Sequence, residues 1–168
     1  MIKTFNSLFV TMLGLGKIKF MPGTFGSFAA TVILYYLFHS FNISPNIILI
    51  GLIIIFVYSF YAFSSYIENS KNKDPGEIII DEFLGQSIPI YLYEISHGTA
   101  KESDEAIIYY LVFFILFRYF DIMKPFPVSF FDKNFKNSFG VIMDDICAGF
   151  YVVLTLVCFM IIIKCYVL

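Results

Sequence analysis

Charge is what this sequence has least of. Asp, Glu, Lys and Arg make up 14% of its 168 residues, against about 25% in an average soluble domain. With 59% of the residues hydrophobic, too little polar surface remains to cover a water-soluble globule, so the chain reads as an integral membrane protein. A basic excess is missing too. Eleven basic residues face 13 acidic ones, which excludes the basic footprint that a nucleic-acid partner needs. Cysteine is sparse: Cys147, Cys158 and Cys165 lie in or beside the last apolar run. An odd number without paired spacing does not suggest a disulfide framework, and buried, inert thiols are expected. Neither Cys147 nor Cys158 has an Arg six residues later, so a cysteine-phosphatase loop is absent. Only two histidines occur, His39 and His97, both expected to be isolated. With neither expected near the cluster of acidic residues, a phosphohistidine mechanism is disfavoured.

What the chain does have is apolar runs, at Phe28–Phe41, Ile47–Phe63, Phe83–Ile95, Ala106–Phe120 and Ile146–Val167. A helix needs about 20 residues to span the hydrocarbon core. The second and fifth runs suffice, and the first and fourth do so with their flanks. The third is short and contains Pro89; as a helix of that length it covers only about 20 Å. Parity decides its role. If the acidic run edges share one side of the membrane, the chain must cross between Asp81 and Ala106. The expectation is an all-α, polytopic transmembrane bundle forming a single domain over residues 1–168. It has five crossings, with the third short and bent at Pro89.

Lys101 and Lys164 fall on the far side of this topology, leaving nine of the 11 basic residues on the side of the acidic edges. The positive-inside rule then places that side in the cytoplasm. Lys3 followed by apolar Phe5–Leu15 imitates a signal peptide, but no small-x-small cleavage site follows. A short interfacial helix is expected there. The polar stretches Glu68–Glu77 and Ser96–Glu105 read as loops.

Five acidic residues stand at the edges of these runs: Asp81, Glu82, Asp121, Asp144 and Asp145. Carboxylates at a membrane boundary are costly to desolvate, so they usually mark an ion, proton or substrate site. Helix N-capping would explain one acid per helix start, but not two adjacent pairs plus Asp121. Several oxygen ligands suit a hard cation such as Mg²⁺. Arg118, Asp121 and Lys124 fall at i, i+3 and i+6 and share one broad helix face, before Pro125 and Pro127 end the helix. They are a phosphate cradle or a snorkelling pair with a neutralising Asp. Pro22-Gly23-Thr24-Phe25-Gly26-Ser27 opens the first run, and such a helix start is a ready phosphate seat. It lacks the Gly-Lys-Ser/Thr of a Walker A loop. Asp132-Lys133-Asn134 begins like an EF-hand loop, but Asn137 and Met143 occupy its required Gly and Glu positions. Asp132 remains a candidate substrate contact.

Taken in order, four segments resemble the phosphatidylglycerophosphatase A family of bacterial membrane phosphatases. They are Pro22–Ser27, Ile79-Ile80-Asp81-Glu82-Phe83-Leu84-Gly85, Phe117–Pro127 (with Arg118, Asp121 and Lys124), and Gly140–Gly149 (with Asp144 and Asp145). The resemblance implies Mg²⁺-dependent removal of the terminal phosphate from phosphatidylglycerophosphate at the inner membrane. Its partners are then the lipid substrate and the bilayer. On this basis Asp81, Glu82, Asp121 and Asp145 are the expected metal ligands, with Glu82 or Asp144 as base. Arg118, Lys124, Thr24, Ser27 and Asp132 are expected at the phosphate. Two alternatives remain. One is a metal-dependent phospholipid phosphotransferase, whose Asp-Gly-x-x-Ala-Arg run is absent; the other is a small cation transporter using the acidic cluster.

Overall fold

The computed structural model describes residues 2–68, 75–97 and 103–167. Lys71, Lys73, Lys101 and parts of both expected loops lie outside the described residues, as does the side chain of His97. Among the described residues there are helices and no strands. α1 is Ile2–Val10, followed by a 3₁₀ turn at Leu15–Lys17. α2 spans Pro22–Tyr35 and continues through a π-helical turn, Tyr36–Ser40. α3 is Pro45–Ile67, α4 Ile80–His97 and α5 Ser103–Met123. The short α6, Val128–Asn134, precedes the long α7, Ser138–Val167.

The boundaries follow from local chemistry. Pro22 and Pro45 occupy the first positions of α2 and α3, where the missing N–H would have no helical partner anyway. The N–H of Gly140 donates to Asn137 Oδ1 at 3.0 Å, a side-chain cap that starts α7. α5 ends where Lys124 adopts a left-handed backbone, φ 45°, with its N–H on the Phe120 carbonyl at 2.9 Å. A left-handed residue closing a helix is usually Gly. Here a lysine takes the position, and Pro125 prevents continuation.

Among the described residues, three segments are long and apolar enough to cross a membrane: Pro45–Ile67, Glu105–Met123 and Ser138–Ile162. Their outer faces carry bare hydrocarbon, with Ile54 62% and Ile115 65% exposed, as lipid contact demands. Cys158 and Cys165 sit on the outer surface of α7 and Cys147 is half-buried. The expectation of three buried thiols is thus corrected: a lipid-facing helix surface accepts a thiol as readily as a core does. α4 is different. It packs against α2, α3, α5 and α7 and is buried over most of its length.

Lipid tails are as apolar as leucine, so helices in a bilayer associate by close packing and hydrogen bonds rather than by hydrophobic driving force. The α4–α7 contact illustrates this. Pro89 in α4 cannot donate to the carbonyl of Gly85 four residues earlier. That carbonyl abuts Gly149 of α7, so closely that a Cβ on Gly149 would collide with it. A Cβ on Gly85 would in turn come within 2.5 Å of the Asp145 carbonyl. Two glycines therefore bring two backbones together directly beneath the acidic residues.

Candidate active site

Four helix ends meet at one end of the bundle: the starts of α2, α4 and α7 and the end of α5. Each delivers part of the polar set singled out above. Asp81 and Glu82 lie in the first turn of α4, and Asp145 lies two turns into α7. One carboxylate oxygen from each of these three lies within 4.8 Å of the others. Asp81 and Asp145 are each 4% exposed. Asp81 Oδ1, Glu82 Oε2 and Asp145 Oδ1 are buried without a hydrogen-bond partner. Three like-charged, desolvated acceptors are unfavourable together unless a cation compensates them. Oxygen donors at this spacing fit a hard divalent ion.

A second set of orphans faces the first. Thr24 Oγ1 and Arg118 Nε and Nη1 are buried without an aligned hydrogen-bond partner. Arg118 Nη1 does lie 2.7 Å from Asp121 Oδ2, so that pair is held by charge rather than by a well-directed bond. Gly23 makes the approach possible. A Cβ there would strike Glu82 Oε1 and sit 3.1 Å from Arg118 Nη1, so α2, α4 and α5 converge on this glycine.

Lys124 binds a different pair. Its Nζ donates to Asp132 Oδ1 at 2.6 Å and to Asp144 Oδ2 at 3.0 Å. Burial alone would pull this ammonium's pKa down, but the contacts with Asp132 and Asp144 outweigh it and hold the group above the usual lysine range. The other oxygen of Asp144, Oδ1, accepts the Asp145 N–H at 2.9 Å.

The structure therefore divides the expected residues. Asp81, Glu82 and Asp145 come together as a trio. Asp121 stands outside it, paired with Arg118, although its charge acts on both Glu82 and Asp145. Asp144 and Asp132 belong with Lys124. Ser27 is fully buried, and its hydroxyl donates to the Gly23 carbonyl at 2.8 Å, so its proton is committed to its own helix.

Two features were not anticipated. Gln86, one turn after Glu82 on the same face of α4, is 0% exposed with both amide atoms unpartnered; the i, i+4 spacing was the available signal. His39, expected to be isolated, instead contacts the buried Glu94 at 3.1 Å. It lies far along the chain from its partner, which is why local spacing gave no warning.

With this geometry in hand, the comparisons with known proteins are informative. The family model for phosphatidylglycerophosphatase A matches residues 8–160. The phosphatidylglycerophosphatase A of Haemophilus influenzae is 34% identical over 141 residues, covering 84% of this chain and 80% of its own. A Bacteroides thetaiotaomicron protein named as a candidate phosphatidylinositol-3-phosphatase is 32% identical over 148 residues, 84% of each chain. The Escherichia coli phosphatidylglycerophosphatase A is 28% identical over 137 residues, 81% of this chain and 72% of its own. No solved structure matches. The match runs through every helix that supplies the carboxylate trio and the facing donors, and the chain belongs to the phosphatidylglycerophosphatase A family.

Proposed function

We propose that this chain is a Mg²⁺-dependent lipid phosphatase that converts phosphatidylglycerophosphate to phosphatidylglycerol and inorganic phosphate. Family membership makes it a hydrolase of phosphate monoesters. One observation carries the finer reading: buried acceptors without a hydrogen-bond partner on α4 and α7 share one end of the bundle with buried donors on α2 and α5 that lack an aligned one, Glu82 and Arg118 meeting at Gly23. The acceptors ask for a cation and the donors for an anion, and a metal-bound phosphate monoester supplies both. A transport pathway would instead need acids near the middle of the membrane.

Asp81, Glu82 and Asp145 would hold the ion, which when bound neutralises phosphate charge and acidifies a coordinated water. The chain's own groups do the rest. Arg118 offers a planar fork to two phosphoryl oxygens, and Thr24 donates a third hydrogen bond. Asp121 holds the guanidinium in orientation. In hydrolysis a water oxygen bonds to phosphorus as the bond to the glycerol oxygen breaks. The water proton passes to a carboxylate of the cluster and the departing oxygen takes up a proton. Asp144 has both oxygens engaged, which suits holding Lys124 and the turn of α7 in place rather than accepting that proton. The acyl chains stay in the bilayer. Five crossings, with the site on the cytoplasmic side where nine of the 11 basic residues fall, bring the headgroup to the trio.

Phosphate release from mixed micelles tests the assignment. Phosphatidylglycerophosphate is expected to be hydrolysed with Mg²⁺ and not after chelation. Phosphatidylinositol 3-phosphate is the comparison substrate, given the Bacteroides relative, and is expected to react more slowly. The reading fails if phosphatidylglycerophosphate releases no phosphate with any divalent ion.

A further inference from the structure

Below the carboxylates the surface changes character. A cavity of about 290 Å³ lies between α3, α4 and α7. Its walls include Leu49 and Ile53 from α3, Leu84 and Ile88 from α4, and Ile146 and Phe150 from α7. Ser87 also lines it, but its hydroxyl donates to the Phe83 carbonyl at 2.6 Å, so hydrocarbon surrounds the space. Leu84 is buried, whereas Ile53 is 51% and Phe150 50% exposed. The cavity is thus a groove with a closed floor and a side open to the bilayer.

We infer that this groove seats one acyl chain of the lipid substrate while its phosphate lies at the Asp81, Glu82 and Asp145 trio. The inference rests on the phosphatase reading above and adds where the substrate's tail goes. Continuity with the site selects the occupant. Asp81, Leu84 and Ile88 fall at i, i+3 and i+7, one stripe of α4, so the groove wall is the continuation of the face that carries Asp81. On α7, Ile146 follows Asp145 directly and opens the other wall. A lipid whose headgroup is held at these residues has its tail directed along the groove. The volume sits at the lower limit of about 300–1,000 Å³ for pockets that hold drug-sized ligands, which suits a single chain and not a second headgroup. Access through the side needs no opening of the bundle, because the lipid slides in from the bilayer.

The test fills the groove from its rim. Ile53→Trp adds bulk at a half-exposed position where folding tolerates it, and Ile54→Trp, on the lipid face next to it, is the control. Each is assayed on dipalmitoyl phosphatidylglycerophosphate and on the deacylated headgroup phosphate, which shares the chemistry but has no tail. Ile53→Trp is expected to lower kcat/KM on the long-chain lipid about tenfold, chiefly through KM, and to change the deacylated compound by less than about twofold. Ile54→Trp should match wild type on both. Unchanged long-chain kinetics in Ile53→Trp, or equal loss on both compounds, overturns the groove. A second measurement is independent of turnover. Dipalmitoyl phosphatidylglycerophosphate carrying a photoreactive diazirine in one chain should label Leu49, Ile53 and Phe150 above Ile54 and Ile108. Even labelling of all lipid-facing positions means bulk lipid only and rejects the proposal. Failure of the phosphatase reading looks different, since wild type would then hydrolyse neither compound.

Discussion

Two buried acidic centres occupy this bundle, and they are built on opposite principles. Glu94, late in α4, is 2% exposed, and its Oε1 meets His39 Nε2 at 3.1 Å and the Tyr110 hydroxyl at 2.9 Å. Rings of Tyr35, Tyr93 and Phe113 pack around those partners. At the start of the same helix, Asp81 and Glu82 present oxygens that nothing in the chain satisfies. A buried polar group that folding itself satisfies binds helices together. One that folding leaves unsatisfied reserves its bonding capacity for something outside the chain. Burial alone does not separate structure from function here; the partner inventory does.

The comparison can be broken most forcefully at Asp145. Asp145→Asn keeps shape and removes charge, so phosphate release should fall at least about 100-fold, or about 2.7 kcal/mol of transition-state stabilisation. The melting temperature of the metal-free protein should hold or rise, since repulsion within the trio is relieved. Near-normal turnover at saturating Mg²⁺ would remove Asp145 from the centre. Arg118→Lys comes next. Lysine keeps the charge but loses the two-pronged donor, and kcat/KM should drop about tenfold, roughly 1.4 kcal/mol. Wild-type kinetics in that variant would make Arg118 a snorkelling cation after all.

The other centre should respond in the reverse sense. Glu94→Gln retains an acceptor for Tyr110 but weakens the bond to His39, and should lower stability by about 1 kcal/mol while phosphatase activity stays near wild type. Thermal unfolding in detergent, run beside the assay, checks both halves. A large loss of activity at unchanged stability would make Glu94 part of the reaction. The smallest effect is expected from pH acting on Lys124. Its contacts with Asp132 and Asp144 raise its pKa in the fold, so their stabilisation is fully present below the unfolded lysine value, about 10.4. It is lost only as pH rises through the higher folded value. Stability attributable to Lys124, measured against Lys124→Met, should therefore be flat between about pH 8 and about pH 9.

The sequence made the polar ends of the helices legible because they interrupt apolar runs, and acidic interruptions are costly enough to stand out. The grouping of Asp81 and Glu82 with Asp145 required only that the run edges share a side. The finer partition did not show. Whether Asp121 joins the trio or turns to Arg118, and whether Ser27 points outward or back to Gly23, depends on side-chain directions that spacing leaves open. α4 was under-measured for a related reason. Its run is Phe83–Ile95, but its helix of 18 residues starts before the acids Asp81 and Glu82 and runs on to His97, since a helix enclosed by others need not be apolar throughout. The His39–Glu94 contact escaped because its 55-residue separation is closed by tertiary packing alone.

The central position of α4 has a consequence for how the protein is made. Hydropathy inserts α3, α5 and α7 on their own merits, whereas α4 carries Asp81 and Glu82 in its first turn and Glu94 near its end, and such ionisable groups make an isolated helix expensive to insert. Its glycine seam with α7, and the shelter that contact gives Asp145, cannot exist until the last helix has been synthesised. The helix that carries two of the three clustered carboxylates is thus a late guest. It is admitted to the membrane by its neighbours, and the competence of the site waits for the synthesis of α7.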